Sequence, residues 1–206
     1  MPQTVFLLSP AHCGGRRALM LMRPGANFPL AVRLRESGAP LGEVFQFMSG
    51  LYFRGKLAYS TAFGARRGGS AALVIAPGRG LEPAERVIGL PDLIAMAQIP
   101  VAIDDPRYRE PLERDARALA GELGPDDRVV LLGSSASDKY SDVLERILPG
   151  LRFPESFVGR GDMSRGGLML RCAQDGRELE TTLLAGAVRH GPRPPRLEPL
   201  PTGPGA

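Results

Sequence analysis

Two patterns of apolar positions alternate along the chain. Short continuous runs suit strands buried on both faces: "TVFLLSP" (residues 4–10), "AALVIAP" (71–77) and "VVLL" (129–132), the first two closed by proline. Between them lie stretches with helical spacing. From Pro40 to Phe63, residues Val44, Phe47, Met48, Leu51 and Tyr52 recur at helical offsets and predict a long helix. Gly50 and Gly55 fall inside it and predict either a break or a close contact, since each disfavours a helix interior by about 1 kcal/mol. "LPDLIAMAQI" reads as a short helix with proline near its start, and "PVAID" (100–104) as a short strand. Pro106 to Gly124 is amphipathic, with Leu112, Ala116, Leu119 and Leu123 on one face and Gly124-Pro125 as the stop.

Alternation of buried strands and helices predicts a three-layer α/β fold, a mostly parallel sheet covered on both faces. The last third changes character. Two further strands, 167–173 and 178–184, are expected around Asp175-Gly176 as a C-terminal β-hairpin. Residues 1–189 are read as one domain, and 190–206, rich in Pro and Gly, as an extended or disordered tail.

Composition narrows the class. The chain has 206 residues, 43% hydrophobic and 23% charged, with 26 Gly and 20 Pro, which suits one domain with many tight loops. The opening apolar run is too short to span a bilayer and has no basic segment before it, so neither a signal peptide nor membrane attachment is expected. Cys13 and Cys172 stand alone, without zinc or redox spacing, as expected of a cytoplasmic protein. The net charge of +4 permits a polyanionic partner. Of 26 basic residues, 24 are arginines and only Lys56 and Lys139 are lysines, a bias that G- and C-rich codons alone would produce.

Three stretches can carry chemistry. After the third apolar run, "GSSASDKY" (133–140) offers Ser134, Ser135 and Ser137 hydroxyls, the first turn of a helix and the Lys139 charge, suited to a phosphate or carboxylate. It is neither a Walker loop nor a dinucleotide fingerprint. The plain reading is a serine helix cap beside a solvated lysine.

In "FVGRGDMSRGG" (157–167), four glycines allow close backbone approach. Arg160 and Arg165 can clamp an anion, and Asp162 can act as acid or base. Alternatively, Asp162 is simply tied to an arginine. In "GLYFRGKLAY" (50–59), Tyr52 and Lys56 can approach a cleft together, or the aromatic stripe is core. "APGRGLEP" adds Arg79 and Glu82 at another strand end, and His12 follows the first strand. The loops at 10–15, 77–82 and 133–140 all follow parallel strands and are expected along one sheet edge.

With "LYFRGKLAYSTAF", "ALVIAPGRGL", "VVLLGSSASDKY" and "FPESFVGRGDMSRGGLMLR" in place, the chain resembles a family of uncharacterised bacterial proteins. From about Leu51 to Tyr140 it also resembles the core domain of archaeosine synthase and related proteins of unknown function. That resemblance implies a three-layer α/β fold and a link to modified nucleobases or nucleic acid, and it carries over no catalytic residue.

The expected function is binding of, or action on, a nucleotide, nucleobase or other phosphorylated ligand. One alternative is a nucleic-acid-binding module using Arg16, Arg17, Arg66 and Arg67 on phosphates. Another is an interaction subunit that docks through the Pro-rich tail.

Overall fold

A computed structural model describes residues 2–197. Three strands, β1 (Thr4–Leu8), β3 (Ala72–Ala76) and β6 (Arg128–Leu132), form the centre of a six-stranded sheet of order β4-β3-β1-β6-β7-β8. β1 pairs in parallel with both β3 and β6, and β6 in parallel with β7 (Leu151–Pro154). The two edges are antiparallel: β4 (Gly80–Pro83) on β3, and β8 (Thr181–Leu183) on β7. A two-residue pair, β2 (Ala39–Pro40) with β5 (Val87–Ile88), stands apart.

The apolar runs are continuous because both faces of the central strands are covered. On β1, Phe6 and Leu8 face one core while Val5 and Leu7 face the other. The first core receives α1 (Arg16–Met22), α2 (Pro29–Glu36), α3 (Leu41–Ser49), α4 (Leu51–Phe63), α5 (Leu90–Ala97) and α8 (Asp162–Asp175). The second receives α6 (Pro106–Glu122) and α7 (Ser141–Ile147). This is the three-layer α/β arrangement, mostly parallel, with a C-terminal antiparallel pair.

The predicted helix over 40–63 is two helices. Gly50 separates α3 from α4 with φ of +63° and ψ of −132°, a conformation open essentially to glycine alone. Gly55 has the other role: a Cβ there would lie 2.5 Å from the Gly166 carbonyl oxygen, and one on Gly166 would lie 2.6 Å from that of Leu51. These two glycines let α4 and α8 cross at backbone contact.

Two local expectations fail. Residues 100–104 form turns and bends, because Val101 and Ile103 pack under α6 without a sheet edge to join. Residues 167–173 are the interior of α8, where Met169 and Cys172, three apart, face the core. Gly176 ends that helix in the left-handed region (φ +64°) in place of the expected hairpin turn, so the C-terminal antiparallel pair is β7 with β8. Of the tail, 190–197 has no regular secondary structure and 198–206 lies outside the described residues.

Candidate functional site

β1 and β6 are neighbours whose chains leave the sheet to opposite faces, β1 toward α1 and β6 toward α7. Such a reversal opens a crevice beyond the carboxyl ends of the strands. A cleft of about 490 Å³ lies there, lined by Ser9, Ala11 and His12 after β1, by Ser134, Ser137, Lys139 and Tyr140 after β6, and by Tyr52 and Asp162 from α4 and α8.

Beneath this lining lies Lys56, fully buried on α4. Its Nζ is 2.6 Å from Ser9 Oγ and 3.0 Å from the Ser9 carbonyl oxygen, and sits 4.0 Å from the centre of the Tyr52 ring. Among the described residues no carboxylate pairs with it. Burial drives its pKa from 10.5 down to about 7; Asp162 opposes the fall and Arg165 adds to it.

Tyr140 closes the far side. Its hydroxyl accepts the Ser134 N–H at 3.0 Å and lies against Ser9, and burial raises its pKa while these contacts hold it back. Gly133 makes room for the group: a Cβ there would be 2.8 Å from Ser9 Cβ and 3.0 Å from the Tyr140 hydroxyl. The Tyr52 hydroxyl is buried with no hydrogen-bond partner among the described residues, and burial drives its pKa up. Arg165 lies near enough to favour the phenolate, but its guanidinium donates through Nε and Nη2 to the Phe157 carbonyl and pairs with Asp162 at 3.5 Å.

The residues singled out from sequence therefore divide. Tyr52, Ser134, Lys139 and Asp162 line the cleft, with Lys56 and Arg165 behind them. Ser135 is buried and does not face it. The helix start does not face it either: α7 begins at Ser141, which is fully buried, so the loop and not a helix terminus forms this wall.

Arg79 turns away to pair with Glu82 at 3.2 Å and Asp92 at 2.7 Å, because β3 continues into the β4 edge strand instead of a helix on the cleft side. Arg160 bonds the Ser156 carbonyl, Ser164 Oγ and the Pro195 carbonyl, and lies in a separate groove with Leu51, Arg54 and residues 193–197. The four arginines of the nucleic-acid alternative do not form one face. Arg16 and Arg17 open α1 beyond the carboxyl end of β1; Arg66 and Arg67 sit at its opposite end, paired with Glu122 and Asp127.

Ser9 and Tyr140 are the members that sequence reasoning did not single out. Ser9 hides as the last polar residue of an apolar run. The scarcity of lysine was a usable signal, since both lysines of the chain are at this cleft. Among the described residues no His, Cys, Asp and Glu cluster can hold a metal, and no helix is long and apolar enough to cross a membrane. Cys13 and Cys172 are both free and buried.

The fold and cleft define a class only, an α/β protein with its polar crevice at the strand-order reversal. No family model, curated protein or solved structure matches the chain.

Proposed function

We propose that the protein binds a small phosphorylated ligand, of nucleotide size, in the cleft between the β1 and β6 loops. The supporting observation is the convergence of those two loops on one crevice whose wall carries Lys139, His12 and the Ser134 and Ser137 hydroxyls. Lys139 is exposed and makes no side-chain ion pair with a described residue, so its charge is available to an anion. A cleft of about 490 Å³ falls within the usual size range of small-molecule sites. Arg165 holds Asp162 at the rim and offsets its charge.

A thermal-shift screen with inorganic phosphate, nucleoside monophosphates and sugar phosphates tests this. At hundredfold excess over Kd, a ligand of the folded state adds about 2.7 kcal/mol of stability. The expected shift is lost in Lys139→Ala and kept in Arg160→Ala. Stabilisation only by oligonucleotides, unaffected by Lys139→Ala and abolished by salt, would overturn the reading in favour of a nucleic-acid module.

A further inference from the structure

We propose that Ser9 and Lys56 form a nucleophile and general-base pair that hydrolyses a carboxylic ester held in the cleft. This rests on the cleft reading for where the substrate sits; the pair itself rests on its own geometry. Ser9 lines the cleft, and Lys56, with no exposed surface, lies directly behind it at 2.6 Å from Oγ.

That order fixes the roles. A substrate in the cleft meets the serine side, with the amine behind the hydroxyl and within reach of the proton that Oγ loses. Nζ donates to the Ser9 carbonyl oxygen and to Ser9 Oγ, and once the amine is neutral its lone pair is within hydrogen-bond reach of the Ser9 O–H. A permanently charged amine buried without a carboxylate partner would carry a large desolvation cost. With its pKa near 7, Lys56 is part neutral under ordinary conditions, which suits a general base.

Arginine cannot take this part because it does not deprotonate. A lysine here, in a chain where 24 of 26 basic residues are arginine, fits that need. The charged and titratable groups around the pair are Tyr52 from α4 itself, Tyr140 ahead of α7, and Asp162 and Arg165 from α8. Tyr140 is a positioning residue. Its oxygen accepts the Ser134 N–H and lies against the Ser9 and Ser137 hydroxyls.

In the first step Ser9 Oγ attacks the ester carbonyl carbon. The Oγ–C bond forms, the carbonyl π pair moves to oxygen, and the hydroxyl proton passes to Nζ. The oxygen pair then re-forms the carbonyl as the C–OR bond breaks, and Nζ returns its proton to the departing alkoxide. Water then attacks the acyl carbon as its proton passes to Nζ; the C–Oγ bond breaks, Nζ returns the proton to Oγ, and the acid leaves with Ser9 O–H and neutral Nζ restored.

An alkyl fluorophosphonate tests the pair, since Oγ–P bond formation releases fluoride and sends the serine proton to Nζ. Intact mass and peptide mapping of the full chain should show one adduct, on Ser9, with a rate that rises through a midpoint near 7 and levels above it. Ser9→Ala should give none. Lys56→Arg, with its fold checked by circular dichroism, should label slower by about 100-fold or more.

No Ser9 adduct on the folded wild-type protein, or equal labelling of Lys56→Arg, overturns the proposal. If Lys56→Arg does not fold, the wild-type profile decides, and a rate flat between about pH 6 and 9 overturns it. Stabilisation of Ser9→Ala by inorganic phosphate reports on the anion site separately, so failure of the pair and failure of the binding reading are distinguishable.

Discussion

Lys56 makes stability depend on pH in the direction opposite to that of a lysine that gains a carboxylate partner. Its amine has a pKa of about 7 in the folded chain against 10.5 unfolded, so between those values the unfolded chain holds a proton that the folded chain lacks. Stability therefore rises with pH across that window, and below about pH 7 the burial cost of the cation is fully present. Urea midpoints measured against pH should climb in the wild type relative to Lys56→Met; parallel curves would contradict the assignment.

Asp127 acts in the same direction, but in the acid range. Its carboxylate accepts from Gly124 N–H at 2.8 Å, from Gln3 N–H at 2.7 Å and from Gln3 Nε2 at 2.8 Å, which brings its pKa down to about 2. Its side chain is almost fully covered, by neighbours at the edge of the molecule and not by depth. The stability it provides is present above its usual pKa of 3.8 and is lost as pH falls toward 2. Asp127→Asn should lower the melting temperature at neutral pH and flatten the acid limb of the stability curve.

At the scale of elements, the crossing of α4 with α8 sets where Lys56, Tyr52 and Asp162 meet. Gly55→Ala or Gly166→Ala would push a methyl into opposing backbone, and a cost of about 1–3 kcal/mol is expected in chemical denaturation. Gly121→Ala is the matched control. Nothing lies within 4 Å of its Cβ position on α6, so it should gain about 0.5–1 kcal/mol.

Gly50 and Gly55 were legible in the sequence as a break or a close contact, but not which was which. That choice depends on Gly166, more than a hundred residues along the chain. The same distance hid α8. Residues 167–173 mix Gly, Leu, Met and Cys so that periods of two and of three to four both fit, and only packing against α4 decides between them. β8 was placed within its segment, yet its partner β7 precedes the whole of α8, a non-local pairing that no turn residue announces.

For the whole molecule, continuous apolar strands separated by helical segments were enough to read a parallel sheet covered on both faces. The loops after β1 and β6 followed from that geometry. Arg79 and Arg160 did not, because their directions depend on Asp92, Glu82 and the Pro195 carbonyl, contacts that spacing does not reveal. Lys139 and Tyr52 line the cleft at the sheet's reversal point, and Lys56 lies just behind it.

The most direct test of that cleft as the binding site is the set of backbone amide chemical-shift changes on adding inorganic phosphate or a nucleoside monophosphate. Changes concentrated in residues 9–15 and 133–140 are predicted. Changes centred on Arg160 and residues 193–197, with the two strand-end loops silent, would contradict the account.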